Sequence, residues 1–354
     1  MTLRRLQVSD FRCLQSAELE FDPRFTLISG PNASGKTSLL EAIYVLGRGR
    51  SFRTRHIENL IRSGSERFVV FGEADLTERS VGLGVEGSAD GMRARMAGER
   101  VSSLAELAGV LPVQIIDPEV HRLIEEGPAR RRRFLDWGVF HVEHRFVGNW
   151  QKYQQALRQR NAALRSRQSR LAVTAWDGEL VRLGDLIDQA RDAYVRDLVP
   201  VAQQLGMSLL GMELGLSYRS GWARDTTLES ALRASWVRDE EAGMTSVGPQ
   251  RAELAIRLDG APVKDRISRG QQKLLAAALL MAQVRLFPGD AEVRPSLLLD
   301  DPAAELDSER LLGLIREVSG QSVQLIVTSL SAEFEAFGAP GRQYGILGGV
   351  VRAF

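Results

Sequence analysis

The sequence predicts an α/β fold that is interrupted by a mainly helical insertion. Residues 25–29 form a short apolar run that stops at Gly30, and residues 37–47 then show helical spacing, which indicates a buried strand followed by a helix. From about residue 128 to residue 206, the apolar positions recur with a helical period alone. Strands and helices alternate again in the last hundred residues, so two α/β segments are expected to flank the insertion.

The remaining elements follow from short apolar or alternating runs bounded by turn residues. Strands are predicted at 3–8, 19–29, 113–116, 214–218, 254–258, 296–299 and 323–327, with a small antiparallel sheet over 67–101 and a hairpin turn at 259–260. Helices are predicted near 227–241, 273–286 and 308–318. We expect an α/β domain from 1–115 and 245–354, with a helical domain from 116–244 between its two parts.

The predicted insertion contains a short antiparallel helix pair. One stripe of apolar residues steps by four and three, as in a coiled coil: Trp176, Leu180, Leu183, Ile187, Ala190 and Tyr194. A weaker stripe precedes it at Tyr153, Leu157, Leu164 and Leu171. The two helices would join near 172–175, and Pro200 would end or kink the second one. A helix of ~30 residues is ~45 Å long, which is a stub and not a long arm.

Composition limits the class of protein. The chain has 354 residues, 44% of them apolar, which is enough for a large core, and its net charge of +1 gives no overall field toward nucleic acid or membranes. Cys13 is the only cysteine, which excludes an intramolecular disulfide and a cysteine-rich zinc site. The longest apolar run, 274–284, is far shorter than the ~20 residues that cross a bilayer. We therefore expect a cytoplasmic protein with no membrane association.

A phosphate-binding loop lies between the predicted strand and helix near residue 30. The sequence from Gly30 to Thr37 fits G-x-x-x-x-G-K-[ST], a pattern in which backbone N–H groups and the helix N-terminus surround phosphates. Lys36 would reach the β- and γ-phosphates, and the Thr37 hydroxyl would hold Mg²⁺. The expected nucleotide-binding set here is Gly30, Pro31, Asn32, Ala33, Ser34, Gly35, Lys36, Thr37 and Ser38.

Two later motifs supply the other half of such a site. The apolar strand at 296–299 ends in Asp300, which is placed to contact Mg²⁺, and Asp301, which is placed to position or deprotonate an attacking water. Ser268, Gly270 and Gln271 lie at the start of a strongly helical run, where a hydroxyl and a glycine can form a second anion site. By itself, Ser268 is equally well explained as an N-cap.

The order of these three motifs resembles that of ABC-type ATPases, a branch of the P-loop NTPases. The resemblance implies ATP and Mg²⁺ as cofactors and a head-to-tail homodimer in which Ser268 and Gly270 of one copy contact the γ-phosphate held by the other. It also implies a D-loop ending at Asp307 and a Mg²⁺-contacting glutamine, for which Gln114 is the candidate.

Two departures from that pattern imply slow hydrolysis. The superfamily usually has glutamate where this chain has Asp301, and a histidine follows the last core strand where this chain has Thr328-Ser329.

Further stretches resemble the RecF family, within the SMC-like branch of this superfamily. They are residues 49–53, 127–136, 159–162, 248–249, 298–301 and 305–307, whereas residues 6–12 followed by the phosphate loop resemble the SMC-like branch as a whole. The family pattern has His and Asp where this chain has Gln250 and Glu253. The resemblance implies a weak, DNA-stimulated ATPase that dimerises on ATP and binds double-stranded, gapped or junction DNA. It also implies action with RecR and RecO, and help in loading RecA during recombinational repair and replication restart.

Basic residues are concentrated in the insertion. Residues 121–170 contain twelve basic and four acidic side chains, including the run Arg130–Arg133 at a predicted helix start, where cations oppose the helix dipole. Phosphate contact, a partner protein and a solvated basic face all remain open for this run. A transport-coupling ATPase and a defence-type ATPase that controls a nuclease are the rival functions; a required membrane partner or a co-purifying nuclease subunit would distinguish them.

Overall fold

The computed structural model divides the chain into two compact units. The described residues are 2–75, 80–101, 103, 105–263, 266–288, 294–305, 308–332 and 337–354. The first unit consists of Met1–Val120 and Phe287–Phe354, and the second of His121–Leu286. The second unit begins near the predicted boundary at residue 116 but extends to Leu286, well beyond the predicted boundary near residue 245.

The secondary structure is numbered along the chain. The strands are β1 (Thr2–Phe11), β2 (Leu14–Glu20), β3 (Phe25–Ser29), β4 (Arg67–Asp75), β5 (Ser80–Ser88), β6 (Gly91–Met96), β7 (Glu99–Arg100), β8 (Val113–Ile116), β9 (Leu214–Arg219), β10 (Glu253–Leu258), β11 (Ala261–Pro262), β12 (Ser296–Leu299), β13 (Gln324–Ser329), β14 (Arg342–Leu347) and β15 (Val350–Ala353). The α-helices are α1 (Lys36–Arg48), α2 (Ala105–Val110), α3 (Arg122–Glu125), α4 (Pro128–Val142), α5 (Phe146–Arg165), α6 (Arg170–Thr174), α7 (Asp177–Leu210), α8 (Leu228–Ala234), α9 (Trp236–Ala242), α10 (Arg269–Arg285), α11 (Pro302–Glu305) and α12 (Ser308–Ser319). Short 3₁₀ turns lie at Ile57–Leu60 and Pro249–Arg251.

Two six-stranded sheets form the first unit. One has the order β2-β1-β4-β5-β6-β7 with antiparallel pairing throughout, which includes the predicted sheet over 67–101. The other has the order β15-β14-β3-β13-β12-β8, and all its pairs are parallel except β14 with β15. The predicted strand 19–29 is two strands, because the Asp22 carboxylate accepts hydrogen bonds from the backbone of Arg24 and Phe25 and turns the chain. The carboxyl ends of β3, β13, β12 and β8 therefore meet at one edge.

Helix α1 lies in the core of this unit. Its residues from Ser38 to Gly47 are all buried, and Leu39, Leu40, Ile43 and Leu46 belong to one apolar cluster with residues of both sheets. A Cβ at Gly47 would lie 2.5 Å from the Leu111 carbonyl oxygen, so the end of α1 approaches backbone too closely for a side chain. Because α1 is packed along its whole length, the position of its first turn is fixed as well.

The second unit is built on the predicted helix pair. Helices α5 and α7 pack together and are connected through the short α6. Pro200 lies inside α7, which continues to Leu210, so of the two predicted effects of this proline it does not end the helix. At 34 residues, α7 is ~51 Å long. The predicted helix 227–241 is divided into α8 and α9 at Ser235.

The second unit extends to Leu286 because two later elements pack within it. Strand β10 pairs with β9 along its whole length, and α10 packs against α7. The predicted hairpin turn joins β10 to β11, with positive φ at both Asp259 and Gly260. Among the described residues, no helix is both long enough and apolar enough to cross a membrane.

A buried ion pair connects three helices of the second unit. Arg160 of α5 donates to Asp239 of α9 at 3.0 Å and to Asp177 of α7 at 2.8 Å, and both Arg160 and Asp239 are 0% exposed. Thr245 accepts a further hydrogen bond from Arg160 at 2.8 Å. Removal of one member of a buried pair leaves the other charge desolvated without compensation.

We therefore predict that Arg160→Ala lowers the free energy of unfolding of the second unit by about 3–5 kcal/mol. The control, Arg182→Ala, removes an exposed pair with Glu179 on α7 and should leave the free energy almost unchanged. Urea titration followed by circular dichroism measures both. Equal stability of the two variants would refute the structural role of Arg160.

Candidate active site

The loop between β3 and α1 is held in one conformation by close backbone contacts. Gly30 donates its N–H to the Ser329 carbonyl oxygen at 3.1 Å. A Cβ at Gly30 would lie 2.2 Å from the Ile346 carbonyl oxygen, so only glycine fits there. Gly35 is the N-cap of α1 with φ of 114°, a conformation that favours glycine. The loop thus lies at the positive end of α1, where an anion is stabilised.

One hydroxyl of this loop is an unused donor. Ser34 is buried, and its Oγ has no hydrogen-bond partner among the described residues. The backbone of Ser34 is fixed, because its carbonyl oxygen accepts a hydrogen bond from Gly349 at 2.8 Å. A buried hydroxyl without a partner is unfavourable, so a phosphate oxygen at this point would satisfy a group that the protein leaves unsatisfied.

The Lys36 ammonium is held over the loop. It donates to the carbonyl oxygens of Gly30 at 2.7 Å and Pro31 at 3.1 Å, and it lies 3.5 Å from a carboxylate oxygen of Asp301. The side chain is only 5% exposed. A cation placed by three oxygens in a region of low exposure is suited to attract phosphate oxygens.

Asp300 is hydrogen-bonded through both of its carboxylate oxygens. Thr37, the second residue of α1, donates its hydroxyl to Asp300 Oδ2 at 2.8 Å, and Thr328 of β13 donates to Asp300 Oδ1 at 2.8 Å. Burial raises the pKa of Asp300 above its ordinary value, while the hydrogen bonds from Thr37 and Thr328 act in the opposite direction. These hydroxyls orient the carboxylate beside the loop.

Asp301 adopts a left-handed backbone conformation that is uncommon for residues other than glycine. Its φ is 50°, in the left-handed region, and its N–H donates to Thr328 Oγ1 at 3.0 Å. Such a conformation persists only where the surrounding structure imposes it. It accompanies the approach of the Asp301 carboxylate to Lys36, described above.

Thr328 is a candidate site residue that the sequence analysis missed. In the sequence, positions 328–329 stand out only because ABC-type ATPases usually have a histidine there. In the structure the Thr328 hydroxyl accepts from the backbone of Asp301 and donates to the side chain of Asp300, and the residue is fully buried. The available signal was a threonine at the carboxyl end of a predicted strand, but its pairing beside β12 is not visible in the sequence.

Gln114 lies away from this cluster. The parallel register pairs Gln114 with Leu297, three residues before Asp300, a distance of ~10 Å along a strand. Gln114 is buried, and its Oε1 accepts a hydrogen bond from Arg48 at 3.3 Å. The register instead brings Asp117 level with Asp300. The register and the hydrogen bond to Arg48 therefore argue against the expected contact between Gln114 and Mg²⁺.

Helix α10 of the second unit begins with a capping box. Ser268 Oγ accepts from the Gln271 N–H at 3.3 Å, and Gln271 Oε1 accepts from the Ser268 N–H at 2.9 Å. Ser268 is exposed, and its hydroxyl hydrogen is donated to no acceptor within the described part of the chain. The N-cap explanation is thus correct for the oxygen of Ser268, while its O–H remains available for an anion in front of the helix together with Gly270.

The remaining residues of the predicted phosphate loop differ in their exposure to solvent. Pro31, Asn32 and Ala33 are exposed at the loop, and Ser38 is buried with its Oγ 3.6 Å from the thiol of Cys13. Asp307 lies outside the described residues. No group of three or more His, Cys, Asp or Glu side chains that could hold a metal by itself occurs among the residues described.

The arginine run of α4 forms contacts within the second unit. Arg130 pairs with Glu126 at 2.8 Å, and Arg131 donates to both carboxylate oxygens of Glu253 at 2.8 Å. Arg132 donates to the Ala252 carbonyl oxygen at 2.7 Å. The contacts of Arg131 and Arg132 fasten α4 to the start of β10, and Arg130 connects α4 to the residue that follows α3. These three arginines therefore have a structural role within their own unit.

Comparison with known proteins places the chain in a family. Residues 2–345 match the model of the RecF/RecN/SMC N-terminal domain. The chain is 38% identical over 336 residues to the DNA replication and repair protein RecF of Aliivibrio salmonicida, with 94% of each chain covered. It is 42% identical to the same protein of Stutzerimonas stutzeri, with 94% of this chain and 91% of that one covered.

Solved structures show the same relationship. A structure of the recombination mediator protein RecF with ATP in the RecFOR pathway superimposes with a TM-score of 0.90 at 26% identity, covering 100% of this chain and 97% of that chain. A Smc head domain from Pyrococcus furiosus gives a TM-score of 0.61 at 17% identity, covering 100% and 96% of the two chains, and shows the fold alone. The fold is that of an ABC-type ATPase head, and the chain belongs to the RecF family of ABC-type ATPases.

Proposed function

We propose that this chain is an ATP-gated, DNA-binding recombination mediator with slow ATP hydrolysis. The proposal rests on one observation: Thr37 and Thr328 both donate hydrogen bonds to the Asp300 carboxylate, close to the Lys36 ammonium. This arrangement holds a hydroxyl, a carboxylate and an ammonium at the positive end of α1, which is the donor set that a magnesium–triphosphate complex requires. Relatives named as DNA replication and repair proteins support the biological role.

The phosphates would occupy the loop from Gly30 to Ser38. Ser34 Oγ and the first N–H groups of α1 would donate to phosphate oxygens, and Lys36 would bind the β- and γ-phosphates. Thr37 and Asp300 would hold Mg²⁺, which neutralises the charge that develops on the phosphates during transfer. Gln114 is left out of this metal site because of its register.

Hydrolysis would depend on Asp301. A triphosphate bound at Lys36 competes with Asp301 for the ammonium, which frees the carboxylate to orient or deprotonate water. Aspartate is one methylene shorter than the glutamate usual at this position. Thr328-Ser329 also supplies no histidine, so we propose a slow reaction that times the release of DNA.

The second half of the site would come from another copy of the chain. Ser268 has an uncommitted O–H at the tip of α10, and Gly270 leaves the first turn without a side chain. These groups, with Gln271, would contact the γ-phosphate held by the partner's loop, so ATP would join two copies. Closure of the dimer would retain double-stranded or gapped DNA for action with RecR and RecO, and indirectly with RecA.

The gating model predicts that DNA retention depends on nucleotide and on Ser268. Ser268→Arg should bind ATP in its own loop yet fail to dimerise, because a bulky cation replaces the small hydroxyl at the interface. Its DNA retention with ATP should fall to the level seen without ATP. Analytical ultracentrifugation and filter retention of labelled duplex DNA measure the two properties.

Lys36→Arg is the companion variant, since it keeps the positive charge but not the compact ammonium that fits the loop. We expect DNA retention to depend on ATP while hydrolysis is lost. DNA affinity that is indifferent to nucleotide in the wild type would defeat the gating model.

A separate prediction concerns Thr328. Thr328→Val keeps the shape but removes the hydroxyl that orients Asp300 and the backbone of Asp301, whereas Thr328→Ser keeps it. A hydrogen bond to a charged group contributes about 1.5–3 kcal/mol, so kcat for ATP hydrolysis should fall roughly 10- to 100-fold in the valine variant. We expect a much smaller change in KM and near-normal kcat in the serine variant. Unchanged kcat in Thr328→Val, or equal loss in both variants, would contradict this role.

A further inference from the structure

Three arginines lie together on the solvent face of the antiparallel sheet, near its β7 edge. Arg95 of β6 is directly opposite Arg100 of β7, and Arg93 lies on the same face because side chains alternate along a strand. All three are exposed. None has an ion-pair or hydrogen-bond partner within the described ranges of the chain, although Glu86 of β5 is opposite Arg93 in the register.

This arrangement is unfavourable for folding. Like charges directly opposite each other on neighbouring strands destabilise a sheet. The other arginines of the same sheet are paired: Arg4 with Glu73, Arg5 with Glu18, and Arg67 with Glu86, the last at 3.7 Å. The net charge of the chain is only +1, so the unpaired group does not follow from a generally basic composition. A local excess of positive charge that weakens the sheet indicates an anionic partner.

The surface beside these arginines is flat. In the register, Gly84 of β5 is opposite Arg95, and Phe71 of β4 is opposite Gly84. The Phe71 ring lies against the backbone of β5. A Cβ added at Gly82 would be 3.3 Å from this ring, and a Cβ added at Gly84 would be 4.0 Å from it. No side chain therefore rises between the arginines and Phe71, and a broad ligand would meet glycine backbone and the Phe71 ring there.

We propose that this face, defined by Arg93, Arg95 and Arg100, binds the sugar–phosphate backbone of DNA. The inference rests on the proposed DNA-binding function and assigns a surface to it. Guanidinium groups match phosphate geometry, and contacts to phosphate carry no base information, in agreement with a flat surface that offers no pocket for a base edge. The run Arg130–Arg133 is less suitable, because Arg130, Arg131 and Arg132 are engaged within their own unit.

The test compares two triple variants of the full chain with ATP present. Arg93→Ala/Arg95→Ala/Arg100→Ala removes the proposed surface, and Arg4→Ala/Arg5→Ala/Arg67→Ala removes three paired arginines of the same sheet with the same change in net charge. Fluorescence anisotropy over a series of KCl concentrations gives the affinity for labelled duplex and single-stranded oligonucleotides. ATP hydrolysis without DNA checks that each variant is folded.

We expect the first triple variant alone to bind DNA more weakly, with a salt dependence that is less steep. The slope of log K against log[salt] should fall by about 0.9 for each phosphate of duplex DNA that the variant no longer neutralises, or about 0.7 for single-stranded DNA. Wild-type affinity and slope in that variant would overturn the proposal. Equal losses of affinity in both triple variants would also overturn it, by showing an effect of net charge. Failure of the wild type to bind DNA with ATP would instead refute the proposed function itself.

Discussion

The candidate site depends on one buried carboxylate, that of Asp300, which connects two strands of the parallel sheet to the start of helix α1. Asp300 at the end of β12 accepts a hydroxyl hydrogen bond from Thr37 at the start of α1 and another from Thr328 at the end of β13. Burial disfavours the charged form of Asp300, and the two hydroxyls oppose that effect. The same Thr328 oxygen holds the backbone of Asp301 in its left-handed conformation. The parallel order β3-β13-β12 thus determines which chemical groups meet beside the loop.

Much of this could be predicted from sequence, because the signals are local. The strand, loop and helix around Gly30, the antiparallel sheet over 67–101 and the turn at Asp259-Gly260 all follow from short patterns. The register of parallel strands is not local, since β8 and β12 are far apart in the chain. The resemblance suggests Gln114 as the metal-contacting glutamine, and only the register shows that it lies level with Leu297. Thr328 was overlooked for the same reason, and the packing of β10 and α10 with the helices moved the domain boundary.

The sequence alone also does not show which arginines of this chain are paired with carboxylates and which are not. Arg130–Arg133 is the densest basic run, yet Arg131 and Arg132 are committed to Glu253 and the Ala252 carbonyl. Arg95 and Arg100 are separated along the chain and form no obvious cluster, but the hairpin brings them opposite each other without carboxylate partners among the described residues. The number of arginines in a window predicts little about free positive charge. Strand register and the position of acidic side chains decide it.

In the proposed dimer, each copy would contribute a half of the nucleotide site that is already ordered before the copies meet. Ser268 is already stabilised by its capping box, and Asp300 by its two threonines, so each half is stable within its own unit. Among the described residues, neither the buried Ser34 hydroxyl of the loop nor the solvent-exposed O–H of Ser268 donates to a protein acceptor. A triphosphate offers acceptors to both. In the proposed dimer, Ser34 would help to hold the triphosphate within one copy, whereas the O–H of Ser268 would reach the γ-phosphate held by the other copy. The contact that joins the copies would be lost when the γ-phosphate is cleaved and leaves. A site of this design needs no large rearrangement inside either unit to make association depend on ATP.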